Sequence, residues 1–272
     1  MSPLFAVIIL LIAAAAAFLF HHRGKRTRLY RELAKKRRSL IARKALVIQT
    51  DVDPAALQPG FEQTRIARIE NFLSPESLAE LRAECSANRG RAERSYVPGH
   101  KKGGTLSYEN IHRLAPACLG FYHSPALRQW LSDLIGEQVY PTADHDQSSC
   151  SILYYNREGD HIGWHYDHNF YKGRHFTVLL SVVNRGREGG LSRARLLQQH
   201  SDGKTVEWDT GENVLVVFEG ARVRHQATAL GPDEERIMLS MTLSTEPLVD
   251  PMKELVRRIK DMAFYGPRAL ID

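Results

Sequence analysis

From Ser149 to Thr245 the chain is a succession of short β-branched and apolar runs broken by Gly, Asn and Asp, and no other feature limits the possible folds as tightly. Strands are expected near 150–156, 175–184, 193–199, 204–208, 213–219, 225–230 and 235–245. The helical stretches before them open alike. Ser74-Pro75-Glu76 starts a helix to about Asn88 and Ser124-Pro125 one to Ile135, with Ser as N-cap and Pro as first helical residue. Asp250-Pro251 repeats the device ahead of a C-terminal helix to about Ala263, and Thr64 to Phe72 reads as a strand leading into the first helix. Helices, then a long run of antiparallel strands, then a last helix describe a mainly β domain with flanking helices packed on one sheet, a β-sandwich or jelly roll.

The N-terminal part is of another kind. Pro3 to Phe20 has 18 residues without a charged or hydrogen-bonding side chain, and as a helix it covers roughly 27 Å, enough to span a bilayer. Residues 21–44 then carry eleven Lys/Arg against the single Glu32. No cation precedes the apolar stretch, which favours an uncleaved anchor over a secretory signal. The positive-inside rule turns the basic side, and all that follows, to the cytoplasm. A basic helix over 25–46 either lies on anionic lipid or only sets topology. Residues 47–63, with Pro54 and Pro59, read as a linker. The expected organisation is therefore an anchor over 1–22, a basic juxtamembrane helix and linker over 23–63, and a domain over 64–272. The net charge of +6 belongs to the basic segment, because the rest of the chain holds 26 basic against 30 acidic residues. Such a domain is poorly suited to nucleic acid, which needs cations on the working face. Three dispersed cysteines, Cys85, Cys118 and Cys150, speak against a disulfide framework and for a reducing compartment.

Of twelve histidines, two stand in telling company. His165-Tyr166-Asp167 is an HxD triplet after an expected strand, and residues two apart in extended chain point the same way, so imidazole and carboxylate can share a metal. His225, at the start of a strand 58 residues beyond Asp167, is the candidate third ligand. Two His and one carboxylate leave one face of an ion open, which suits non-haem Fe(II) and oxygen chemistry. Gly231-Pro232-Asp233 makes a turn, so the strand carrying Arg236 is expected to fold back beside that of His225. Along it Ile237, Leu239, Met241 and Leu243 share one face, and Arg236, Met238, Ser240 and Thr242 the other. A guanidinium on that mixed face can grip a carboxylate by both oxygens. The alternative is an ion pair with Glu234 or Glu235.

These residues resemble the Fe(II)- and 2-oxoglutarate-dependent dioxygenases, in particular the prolyl-hydroxylase-like branch. The likeness runs over roughly residues 64–245 and includes the lead-in RIENFLSPESLAEL, the Gly189-Gly190 turn and the strand GENVLVVFEG before His225. It implies a double-stranded β-helix (jelly roll), here preceded by an N-terminal transmembrane helix. By the same resemblance His165, Asp167 and His225 bind iron, Arg236 binds the far carboxylate of 2-oxoglutarate, and Tyr155 matches an active-site tyrosine. Tyr154, on the opposite face, is its alternative. The implied cosubstrates are 2-oxoglutarate and O2, with ascorbate as reductant, and the products succinate, CO2 and a hydroxylated C–H bond. Asp167 stands where related halogenases have a small residue, so the resemblance points away from halogenation.

The expected protein is thus a single-pass membrane enzyme facing the cytoplasm, with the lipid bilayer as partner and a lipid, a membrane-delivered small molecule or a protein side chain as substrate. An AlkB-like demethylase is the contrasting enzyme, but such enzymes carry a second Arg six residues after the first, where this chain has Thr242. A non-catalytic jelly-roll module is the other alternative, and degenerate members typically lack a ligand or the Arg. Trp164, Tyr166, His168, Asn169, Phe170 and Tyr171, followed by Lys172, Arg174 and His175, either form a lid with an anionic preference or simply pack. His161 and His168 are not needed as ligands. Asp144-His145-Asp146 reads as a solvated loop rather than a cation site.

Overall fold

A computed structural model of the chain describes residues 46–144 and 146–249, with isolated helical positions at Arg31, Glu32, Ala34, Lys35, Arg38, Ser39, Lys253 and Val256. The expected transmembrane segment and most of the basic and C-terminal helices lie outside the described residues. Among those described, no helix is long and apolar enough to cross a membrane.

The first surprise is the segment read as a linker. Asp53 accepts a hydrogen bond from Ala55 N at 3.0 Å and Pro54 takes the first position of helix α1, Pro54–Thr64, which Arg65 ends at φ 59°. Pro54 therefore starts a helix instead of forbidding one, and α1 continues past Pro59. Its Phe61 is buried beside Phe176, ring centroids 6.1 Å apart, and Leu46 is buried as well. Residues 46–63, expected to lie outside the domain, thus pack against it.

Strand β1, Ile66–Ile69, leads to α2, Pro75–Ala87, where Ser74 caps Ser77 N at 3.2 Å. Strands β2, Glu93–Val97, and β3, Lys101–Leu106, follow, then three short helices: α3, Tyr108–Leu114, α4, Pro116–Tyr122, and α5, Pro125–Ile135. After β4, Tyr140–Pro141, come β5, Cys150–Tyr155, β6, His161–His165, β7, His175–Arg185, β8, Leu196–Gln199, β9, Thr205–Trp208, β10, Leu215–Glu219, β11, Arg224–Ala227, and β12, Glu235–Ser244.

The sheet pairs antiparallel in the order β1-β10-β7-β12-β5-β3-β6-β11-β8-β9, with β2 on β3 and β4 on β12. Strand β3 turns the corner, since Gly104–Leu106 pair with β5 while Lys101 and Lys102 pair with β6. The result is a nearly closed, mainly β structure with flanking helices, consistent with a jelly roll. One expected pairing is absent. Strand β12 does not fold back on β11: it lies between β5 and β7, while β11 lies between β6 and β8. The turn at Gly231 leads from one sheet to the other, and His225 and Arg236 meet across the interior rather than along a hairpin.

Two cores result. Ile237, Leu239, Met241 and Leu243 are sealed under the helices with Leu81, Leu119, Trp130 and Leu131. Inside the roll Tyr155, Leu179, Leu196, Val216, Phe218 and Met238 form a smaller cluster that borders the site. All three cysteines are buried free thiols.

Candidate metal centre

His165 ends β6 and His225 lies in β11, and the two residues are directly opposed in the strand pairing, which brings their ring centroids to 4.2 Å. Asp167 follows two residues past His165, where its N–H donates to Gly220 O at 3.0 Å. One ligand atom from each of His165, Asp167 and His225 lies within 4.8 Å of the others. Asp167 Oδ1 is 3.4 Å from His165 Nε2 and 3.9 Å from His225 Nε2. His161 and His168 do not belong to this group.

Each group is held in place from behind. His165 Nδ1 contacts Gly163 O at 2.8 Å and His225 Nδ1 contacts Val223 O at 3.0 Å, so each Nδ1 carries its proton and both Nε2 lone pairs face the centre. Thr177 Oγ1 donates to Asp167 Oδ2 at 2.5 Å, which leaves Oδ1 for the shared side. Gly220 completes the cradle, because a Cβ there would stand 2.6 Å from Asp167 Oδ2. Burial favours the neutral acid of Asp167, but the charge of His225 and the hydrogen bond and charge of His165 outweigh it and hold the carboxyl well below the ordinary carboxylate range. The imidazoles diverge. Burial pushes His225 down, whereas at His165 burial is overcome by Asp167 and the pKa rises.

Arg236 comes from the facing sheet. It is only 1% exposed, its Nε has no hydrogen-bond partner, and Nη2 reaches Thr210 Oγ1 at 3.4 Å. Burial lowers its pKa, with Tyr155 partly opposing the shift. The ion pairs weighed from sequence do not form: Glu235 pairs with Arg89, and Glu234 accepts from Arg193 N and Gly231 N. Tyr155 is paired with Arg236 across β5 and β12, its ring 5.2 Å from the guanidinium carbon, and it faces the interior. Tyr154 points the other way and donates to Cys85 O at 2.8 Å.

Two cavities meet at the centre and share His165, Asp167 and Thr177 as walls. The inner one, about 80 Å³, runs from the ligands to Arg236 and Tyr155 between Leu179, Leu196 and Phe218. The outer one, about 220 Å³, is walled by β3, β5, β6 and the segment after Asp167. Of the aromatic run, Tyr166, His168 and Phe170 line this outer cavity together with His175. The remainder packs or pairs elsewhere: Tyr171 donates to Asp146, Trp164 lies under Arg224, and Arg174 is bound by Glu62, Glu137 and Glu219. Asp146 is 2% exposed, so the loop expected to be solvated is partly interior; His145 is outside the described residues. Thr177, Thr210 and Lys101, a further wall of the outer cavity, were not evident from sequence.

The chain is similar to a protein family and to several solved structures. The family described as Halogenase D matches residues 49–177, a span that holds the HxD triplet but stops short of His225 and Arg236. No curated protein matches the chain. Among solved structures, a Pseudomonas putida prolyl-4-hydroxylase is 18% identical over 70% of this chain and 97% of its own, with a TM-score of 0.52. The non-haem α-ketoglutarate-dependent epimerase SnoN from nogalamycin biosynthesis is 16% identical over 70% and 83%, with a TM-score of 0.57. A Trichoplax adhaerens prolyl hydroxylase, solved with a hypoxia-inducible-factor peptide fragment, is 16% identical over 83% and 95%, with a TM-score of 0.54. The fold is therefore that of the Fe(II)- and 2-oxoglutarate-dependent oxygenases, and within it the His-Asp-His group is a set that could bind metal.

Proposed function

We propose that the chain is an Fe(II)- and 2-oxoglutarate-dependent dioxygenase that hydroxylates a substrate C–H bond. The observation that carries this reading is Arg236. A guanidinium buried to 1% exposure, with an Nε that no group satisfies, calls for an anion in the same cavity that ends at His165, Asp167 and His225. In this reading His165 Nε2, His225 Nε2 and Asp167 Oδ1 hold the iron, and the distal carboxylate of 2-oxoglutarate lies on Arg236 beside Tyr155. Bound Fe(II) supplies activation of O2, coupled to conversion of 2-oxoglutarate to succinate and CO2, with ascorbate as a reductant that keeps the metal Fe(II).

The protein's own part is arrangement. The carbonyls of Gly163 and Val223 fix the imidazoles, and Thr177 turns the carboxylate. Leu179, Leu196 and Phe218 keep water from the 2-oxoglutarate chamber. Asp167 sits in a cradle shaped for it, a carboxylate where halogenases are expected to have a small residue, so hydroxylation is the better reading even though a family described as a halogenase matches residues 49–177. Thr242 donates to Ser148 O at 3.1 Å and offers no second guanidinium on β12, which argues against demethylation of the AlkB type. The apolar Pro3–Phe20 segment and its basic flank support a membrane-anchored enzyme with a cytoplasmic domain.

The test is 2-oxoglutarate turnover to succinate by the full chain in detergent with Fe(II) and ascorbate, alongside binding of each ligand. Binding of both is expected. Absence of both Fe(II) and 2-oxoglutarate binding removes the reading.

A further inference from the structure

The outer cavity, about 220 Å³, has a mainly apolar lining, to which Leu153, Ile162 and Phe170 contribute. At the roughly 25 Å³ per atom with which an apolar cavity of about 150 Å³ takes benzene, it has room for about nine non-hydrogen atoms. Apart from the metal group, its charged walls are Asp146 and Lys101, and both are engaged within the protein. Asp146 accepts at Oδ1 from Ser148 N and Oγ at 2.9 and 2.7 Å, and at Oδ2 from the Tyr171 hydroxyl at 2.5 Å. Lys101 Nζ donates to Thr105 Oγ1 at 2.9 Å, and each of the two has a further interaction. Charge therefore does not select what enters.

The hydroxyls of the floor differ. Ser151 of β5 and Ser240 of β12 are directly paired across the sheet, and both line the cavity. Ser151 is 3% exposed and Ser240 is half-buried. Among the described residues neither Oγ has a hydrogen-bond partner, and both still open on the cavity. A desolvated hydroxyl without a partner is costly, so a purely apolar ligand that displaced water from this floor would leave two such groups. The oxygen of an alcohol lying between them accepts from one serine and donates to the other, which satisfies all three hydroxyls. The position suits a substrate. Along β12 Ser240 lies four residues beyond Arg236, roughly 13 Å, and it borders both cavities. The next interior pair is Thr242 with Thr177, whose hydroxyl holds Asp167.

We propose that Ser151 and Ser240 determine specificity and that the substrate is a small, neutral, mainly apolar alcohol, its hydroxyl held by the two serines and a C–H bond facing the His165-Asp167-His225 group. The reacting C–H bond rests on the oxygenase reading, in which one oxygen atom of O2 enters that bond and the other enters succinate. The alcohol site rests on the serine pair alone.

The probe is para-fluorobenzyl alcohol, compared with para-fluorotoluene, which has the same ring and lacks the hydroxyl. Each is titrated into the metal-free full chain in detergent with 2-oxoglutarate saturating, with fluorine line broadening as the readout and protein-free micelles as the baseline. The alcohol is expected to bind roughly tenfold more tightly than the toluene, the scale of a hydroxyl that gains partners in a desolvated site. Ser151→Ala should weaken that preference, and Ser151→Ala together with Ser240→Ala should remove it. Binding of the toluene and the melting temperature should hold, a combination that a merely structural role would not produce. Mn(II), once bound, should broaden the line of the bound alcohol further. Equal binding of alcohol and toluene, a preference that survives the double variant, or no added broadening by bound Mn(II) overturns the proposal. So does para-fluorobenzoate that binds more tightly than the alcohol even in Arg236→Met. Failure of the oxygenase reading looks different: Mn(II) and 2-oxoglutarate would not bind, with the serine-dependent preference for the alcohol intact.

Discussion

The two faces of β12 both carry buried side chains and are chemically opposite. Ile237, Leu239 and Met241 are fully buried on one face, and Arg236 and Met238 are 1% exposed on the other. The first face is sealed by helices, the second by the facing sheet and the cavities. Burial therefore says little about which face works. On the helix side the neighbours are mainly apolar and contact itself stabilises, each buried aliphatic side chain contributing about 1.5–3 kcal/mol. On the interior side a guanidinium, a serine and a threonine share the wall with Tyr155, Leu179 and Phe218. A strand repeats every two residues, so one segment can anchor the fold and present chemistry without either demand altering the other.

Substitutions on the two faces should separate stability from function. The largest effect is expected at the centre. His165→Ala should lower metal affinity by more than the roughly 10–100-fold that loss of a group supporting a ligand costs, and abolish turnover, with the melting temperature little changed; metal titration and calorimetry measure both. Next is Arg236→Met. Deleting one partner of a buried charge-assisted contact costs about 2–5 kcal/mol, so half-saturation by 2-oxoglutarate should rise by roughly two orders of magnitude while Mn(II) affinity holds. Stability of the unliganded protein should hold or increase, since the variant no longer buries a cation. Unchanged 2-oxoglutarate affinity would falsify the assignment of Arg236. On the opposite face, Leu239→Ala should remove about 2–5 kcal/mol from unfolding, read by denaturant titration, with turnover per folded molecule unaltered.

The same contrast explains what could be read in the amino-acid sequence. Strict alternation on β12 placed Arg236 on the correct face, and the HxD spacing with the distal His named three residues that the fold does bring together. Strands β5, β7 and β12 were visible because long runs of buried β-branched and apolar residues announce them. Strand β3, with sequence KKGGTL, carries two adjacent glycines and no alternation, and all five residues of β6 are half-buried, so neither shows a period. Helix α1 was obscured by Pro59, although Asp53-Pro54 is the same start signal as Ser74-Pro75. The supposed hairpin between β11 and β12 failed for a different reason: a turn specifies a change of direction, and which strand lies alongside is decided by the sheets that β5, β6, β7 and β8 complete. Thr177 and Thr210 carry no motif. Their significance lies in distances across strands, which spacing along the chain does not encode.

Thr177 supplies the smallest and most discriminating effect. It lies on β7, ten residues beyond Asp167, with its hydroxyl donating to Oδ2 at 2.5 Å. Thr177→Val keeps the β-branched shape and removes only that donor, so packing and melting temperature should stay close to those of the parent. A carboxylate that has lost the group fixing one oxygen can rotate or bind through both, and metal affinity should fall by roughly tenfold, the low end for loss of an outer hydrogen bond to a ligand. Affinity for 2-oxoglutarate, measured at saturating Mn(II), should move much less, because Arg236 belongs to a different strand and is steadied by Thr210, whose carbonyl accepts from Ser181 Oγ and Asn184 Nδ2 at 2.8 Å each. Parallel losses of metal and 2-oxoglutarate affinity in Thr177→Val would instead mean that the two walls of the inner cavity act as one unit, and the division between a metal-holding wall and an anion-holding wall would have to be given up.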